Sequence, residues 1–132
     1  SGWIDWNMVL DRQGGPGWAK NWCCSPVIVD PATDEVYYTP MYYALKHFSR
    51  FIRPDAKVLG VKVSGISEPK TIEEKIKAVM ATAVRNPDGT LAVVVINQGQ
   101  TPMFLDLVID GNHYKLSIAK EAIQTITLND NQ

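Results

Sequence analysis

From Lys57 to the end, the chain reads as short apolar or alternating runs cut by turn residues. Lys57 to Ser64 (KVLGVKVS), Leu91 to Asn97 (LAVVVIN), Met103 to Asp110, His113 to Ile118 and Ile123 to Leu128 have the β-branched content of strands. Asn86-Pro87-Asp88-Gly89 and Asp110-Gly111-Asn112 supply tight turns. Short strands regularly spaced between such turns predict a β-sandwich. The stretch Thr71 to Val84 fits two patterns. Ile72, Ile76, Val79, Met80 and Ala83 fall at helical spacing, yet the segment runs into the Asn86 turn as a hairpin arm should. It is expected as loop or helix to about Glu74, then strand to Arg85.

The first half follows a different pattern. Gly2 to Leu10 (GWIDWNMVL) is a nearly continuous apolar run broken by Asp5 and Asn7. That is the expectation for a strand buried on both faces whose last polar residues serve a ligand pocket. Asp11 to Gly17 (DRQGGPG) is loop, and Trp18 to Ser25 continues as irregular chain. Pro26 to Asp30 and Glu35 to Tyr38 form a hairpin through Pro31-Ala32-Thr33-Asp34, read as a small antiparallel unit separate from the first segment. Thr39-Pro40 starts a helix, with Thr39 as N-cap and Pro40 at the first helical position. Met41, Leu45, Phe48 and Ile52 make its apolar stripe, widened by Tyr42, Ala44 and Phe51. Arg53 suits the negative end of the helix dipole, and Pro54 stops the helix.

Composition narrows the function classes. With 132 residues, the chain can bury one real core but is too short for a complete (β/α)8 barrel, which takes roughly 250 residues. A net charge of -1, with its cations scattered, argues against nucleic acid or anionic lipid as partner. No apolar run approaches the ~20 residues of a transmembrane helix, and no signal peptide is recognisable. Cys23 and Cys24 are adjacent, which disfavours a disulfide between them, and no histidine lies near enough to complete a zinc site. They are read as partly buried thiols.

The titratable residues offer little catalysis. No glutamate precedes Glu35, which falls in the hairpin, and Asp5 and Asp11 are the nearest other acids. Asp5 is read as holding the strand end or orienting a neighbour. Gly14-Gly15-Pro16 lacks the Gly-Lys-Ser/Thr of a phosphate loop, so its glycines are conformational. His47, beside the helix stripe, is read as a hydrogen-bonded structural residue, and His113 as a surface residue by its turn.

Three segments together carry a resemblance: Gly2 to Pro16 (GWIDWNMVLDRQGGP), Trp22 to Asp30 (WCCSPVIVD) and Pro40 to Ile52 (PMYYALKHFSRFI). The chain resembles the C-terminal part of glycoside hydrolase family 30, most of all its acid β-glucosidase, or glucosylceramidase, branch. The motifs are W-x-D-W-N, then G-G-P, then a Y-Y-x-L-x-H-F-S-R-F-I helix. From Ala56 the likeness lies mainly in layout, best in the N-P-D-G hairpin and the L-A-V-V-V-I-N run. The resemblance implies a (β/α)8 barrel joined to a β-sandwich with strands from both ends of the polypeptide. The expected fold here is mainly β. Residues 1–7 would be the last barrel strand, 8–39 a loop with a small antiparallel sheet, 40–55 the last barrel helix and 56–132 the C-terminal β-sandwich.

The same resemblance implies a retaining hydrolase with two glutamates on earlier strands, absent from this chain. It assigns no catalytic residue and no metal ligand here, and no cofactor. It places Trp6 under the glucosyl ring, Asn21 on a mobile loop at the pocket mouth, and Trp22 on the same loop. An indole offers an apolar face to sugar C–H groups and an N–H to a hydroxyl, while an amide both donates and accepts. Trp3 is read as core. Cys24 departs from the family's human-type enzyme, which has an acid there, and this bears on aglycone preference. The implied partners are a β-glucoside or glucosylceramide-like substrate and the remainder of the barrel. The implied location is extracytoplasmic, secreted or lysosomal. Two other readings use the same residues: a stand-alone carbohydrate-binding module, and a purely structural β-sandwich.

Overall fold

In a computed structural model, residues 2–17, 19, 22–64 and 79–129 are described. Regular pairing begins with three short strands: β1 (Val9–Asp11), β2 (Val27–Asp30) and β3 (Glu35–Tyr38). The antiparallel β2–β3 hairpin closes at Asp30↔Glu35, as its turn residues predict. Asp34 takes a φ of 57°, and the Asp30 carboxylate accepts the Ala32 N–H at 3.0 Å, so the turn is fixed by its own acids. The expected separation from the first segment does not hold. β1 joins β2 in parallel, Val9 opposite Val27, and the Val27 N–H donates to the Met8 carbonyl at 3.1 Å. An apolar pattern marks a strand but does not name its partner.

Residues 2–7, expected as a strand buried on both faces, have no ladder partner among the described residues. Trp3, Ile4 and Trp6 are instead exposed. The helix α1 (Pro40–Ser49) starts where Thr39-Pro40 predicts. The Thr39 hydroxyl is shared between the Ser25 and Pro26 carbonyls at 2.9 and 3.2 Å, which ties the helix start to the entry of β2. An Ile52 N–H to Phe48 carbonyl bond carries the helical path one turn beyond Ser49, towards Pro54. None of the helix residues is buried, so its apolar stripe is unsatisfied among the described residues.

The chain divides into two compact units, Ser1–Lys46 and His47–Gln132. The second contains β4 (Lys57–Leu59), β5 (Val79–Arg85), β6 (Leu91–Asn97), β7 (Met103–Ile109), β8 (Asn112–Ile118) and β9 (Ala122–Leu128). One sheet has the order β4-β5-β6-β9, and β7 and β8 form another. The core is shared between them: Val79, Ala83, Val93, Val95 and Ile118, with Met103, Leu105, Leu107 and Ile109 packed against it. In β7 each second residue faces that core while Phe104, Asp106 and Val108 face out, which is the alternation of a half-buried strand. In β6, by contrast, Ala92 and Val94 are as buried as Val93. His47 belongs to this second face. Its Nδ1 lies 2.8 Å from the Thr125 hydroxyl, and Thr125 is paired with Val94. It is the structural histidine its place beside the stripe predicts.

Turn chemistry sets the hairpins. Ile109 pairs with Asn112, leaving Asp110-Gly111 as a two-residue loop with φ of 49° and 83°. Positive φ at both positions is the type I′ turn that suits strand twist. Strand β4 is shorter than Lys57 to Ser64 predicts: its ladder ends at Leu59, opposite Ala83. Gly60 follows directly, and a glycine inside an edge strand weakens it, so valine content alone overstates its length. The loop or helix expected up to Glu74, and the start of the strand after it, lie outside the described residues.

Candidate functional site

The site is built around the small sheet. Trp6 stands 77% exposed, three residues before β1, and Trp22 stands 78% exposed, five residues before β2. Because β1 and β2 run parallel in register, both tryptophans enter the sheet from the same end. The Trp6 N–H donates to the Asp5 carboxylate at 2.8 Å, and Asn7 turns the backbone with a φ of 47°. Asp5 thus orients its neighbour, as expected. Asn21 lies outside the described residues.

The loop after β1 is organised by Asp11. One carboxylate oxygen accepts the N–H groups of Gln13 and Gly15 at 2.8 and 2.7 Å. The Asp11 N–H donates to the Gly15 carbonyl at 2.7 Å, and the Gly14 N–H to the Asp11 carbonyl at 3.0 Å. This closes a tight ring of backbone that presses on the Trp22–Cys23 segment. A Cβ built on Gly14 would stand 2.4 Å from the Cys23 nitrogen. Nothing in the spacing of residues announces that contact. The one visible signal is an aspartate placed before a glycine pair, the ordinary seed of a side-chain-capped turn.

Next to it, Arg12 Nη1 donates to the Asp30 carboxylate at 2.9 Å. Asp30 is nearly buried at its side chain, and the hydrogen bond from Arg12 is the main reason its pKa falls below the ordinary aspartate value. The same hydrogen bond raises the Arg12 pKa. Glu35 accepts from the Thr33 and Tyr37 hydroxyls, and its bond with Tyr37 raises that phenol's pKa. Glu35 is therefore engaged within its hairpin. Among the described residues, no group of three or more His, Cys, Asp or Glu is placed to hold a metal ion. No helix of the described residues is long and apolar enough to cross a membrane.

A cavity of a different kind lies elsewhere, between the strands of the sandwich. It has a volume of about 870 Å³ and is lined by residues such as Leu59, Val79, Val93, Met103 and Leu105. Its lining combines these core residues with Lys62, Ser64, Arg85, Asp106 and Asp110.

The chain is mainly β, with a sandwich following a small sheet beside which Trp6 and Trp22 stand exposed. This chain belongs to glycosyl hydrolase family 30: the family's TIM-barrel domain matches residues 1–52, and its beta sandwich domain matches residues 55–126. Within the family it is similar to glucosylceramidases. A Caenorhabditis elegans relative assigned by name to that group is 33% identical over 138 residues, covering 100% of this chain and 25% of the relative. The lysosomal acid glucosylceramidase of Mus musculus is 38% identical over 98 residues, covering 74% of this chain and 17% of that protein. Among solved structures, SrfJ from Salmonella typhimurium superposes with a TM-score of 0.81 at 24% identity, covering 97% of this chain and 26% of SrfJ; that likeness speaks for the fold. The chain thus spans about a quarter of the length of the first of these relatives.

Proposed function

We propose that this chain is the C-terminal portion of a retaining β-glucosidase of the glucosylceramidase type. It supplies part of the pocket wall and the β-sandwich, while the two catalytic glutamates lie upstream. In this reading residues 1–7 are the last barrel strand, 8–39 the loop after it, 40–55 the last barrel helix and 56–132 the sandwich. Sites of such barrels sit at the C-terminal ends of the strands, which is where Trp6 and Asn7 fall.

The reaction is a double displacement. One carboxylate attacks the anomeric carbon while the other, as acid, gives its proton to the departing aglycone oxygen. Water then gives a proton to that second residue, attacks the glycosyl–enzyme bond and releases glucose. Both carboxyl groups are restored, and no metal or organic cofactor is used. Trp6 lies under the glucosyl ring, with Asn21 and Trp22 at the pocket mouth. The substrate class is a β-glucoside or a glucosylceramide-like glycolipid, the latter supported by the name of the mouse relative.

The observation that carries this reading is Trp6 itself. A large indole stands 77% exposed in a segment matched by the barrel domain, with its backbone fixed by Asp5. The test is Trp6→Ala in the longer protein that contains this chain. Catalytic efficiency on a β-glucoside is expected to fall at least about tenfold, or about 1.4 kcal/mol, without a matching loss of stability. Unchanged efficiency would remove Trp6 from the site.

A further inference from the structure

The two glycines of the Gly14-Gly15 pair answer to different neighbours. Gly14 has a φ of +76°, a left-handed conformation that side chains rarely adopt. A Cβ there would lie 2.4 Å from the Cys23 nitrogen, 2.8 Å from the Cys23 carbonyl oxygen and 3.2 Å from the Trp22 carbonyl carbon. All three are backbone atoms, so no side-chain rotation relieves the clash. A Cβ on Gly15 would meet the Asp11 carboxylate instead, at 2.9 Å from one oxygen and 3.3 Å from the other. Asp11 in turn grips the N–H groups on both sides of Gly14. The turn is therefore a rigid buttress, tied from one side by Asp11 and pressed from the other against the backbone that carries Trp22.

We infer that Gly14 and Asp11 are positioning residues that set where Trp22 stands and thereby tune which aglycones the enzyme accepts. This rests on the reading of Trp22 as pocket wall. Neither residue touches substrate. Gly14 acts by leaving room for the Trp22–Cys23 backbone at van der Waals distance, and Asp11 by holding Gly14 there. Trp22 is itself 78% exposed, and its carbonyl carbon is one of the three backbone atoms that a Cβ at Gly14 would meet.

The test uses the longer protein that contains this chain, with Gly14→Ala, Trp22→Ala, the double variant, Asp11→Ala and Asp11→Asn. KM and kcat are measured on a β-glucoside with a long alkyl aglycone and on one with a methyl aglycone. Gly14→Ala is expected to raise KM for the long aglycone about fivefold or more, with kcat within about twofold and a smaller change for the methyl glucoside. Trp22→Ala should give a shift of the same kind, and adding Gly14→Ala to it should change KM by less than about twofold, because the two act through one group. Asp11→Ala, which adds no clash, should reproduce the shift, whereas Asp11→Asn keeps the accepting oxygen and should remain near wild type. It also serves if Gly14→Ala fails to fold.

Equal losses on both glucosides, or full additivity in the double variant, would overturn the inference by showing a merely structural role. So would a shift in Trp22→Ala that neither Gly14→Ala nor Asp11→Ala reproduces; in that case the pocket-wall reading survives. A silent Trp22→Ala removes Trp22 from the pocket and the inference with it.

Discussion

Asp30 is held by groups from two directions: the Arg12 guanidinium across the sheet and the Ala32 N–H in its own turn. Both favour the carboxylate, with the Arg12 hydrogen bond the larger, so the folded pKa lies below the unfolded one. The sign of its effect on stability follows. The contribution is fully present above the unfolded value, about 4, and is lost as the pH falls from there through the lower folded pKa. Urea unfolding of the unit at decreasing pH should therefore show an acid-side fall in midpoint that is shallower in Asp30→Asn. An equally steep fall in that variant would take Asp30 out of the acid transition. The sequence shows both residues, but not their pairing, because 18 positions separate them and only the β1–β2 register brings them together.

At the scale of elements, legibility depended on whether the deciding partner was local. The Asp110-Gly111 hairpin and the alternation of β7 could be read directly, since turn chemistry and a period of two are written in consecutive residues. The length of β4 and the parallel entry of β1 could not, because ladders are set by neighbours distant in sequence. Asn86 shows both sides of this. It was recognisable as a turn residue, and its N–H indeed donates to the Thr90 carbonyl. Its side chain does more. The amide donates to the Phe51 carbonyl at 2.9 Å and to Thr90 Oγ1 at 3.0 Å, while its oxygen accepts the Arg53 N–H at 3.0 Å. A nearly buried residue thus joins the end of the helical path to the β5–β6 hairpin. Asn86→Ala should cost about 2 kcal/mol, since it loses three hydrogen bonds made by a buried side chain and leaves the part-buried Phe51 carbonyl and Arg53 N–H without that partner. The thermal midpoint of the unit checks this, and a change below about 0.5 kcal/mol would mean that water replaces all three.

For the whole molecule, the same logic explains what is exposed. Among the described residues, Trp3 and Ile4 have no ladder around them, and no residue of α1 is buried. Each is a surface that the proposed upstream barrel and sandwich strands would cover, and leaving them bare costs apolar exposure. The family and its β-sandwich were legible because the W-x-D-W-N, G-G-P and helix motifs survive in order. The assignment of Trp6 and Trp22 to a sugar pocket remains the central claim, together with the location of the carboxylates outside this chain. Labelling the longer protein with a 2-deoxy-2-fluoro β-glucoside tests that location most directly, because a retaining enzyme traps such a sugar as an ester on its nucleophile. Mass spectrometry of the digested adduct should place the label on a glutamate upstream of Ser1, with no label within residues 1–132. A glycosyl ester on Asp5, Asp11, Glu35 or any other residue of this chain would contradict the account, as would an active protein that forms no ester at all.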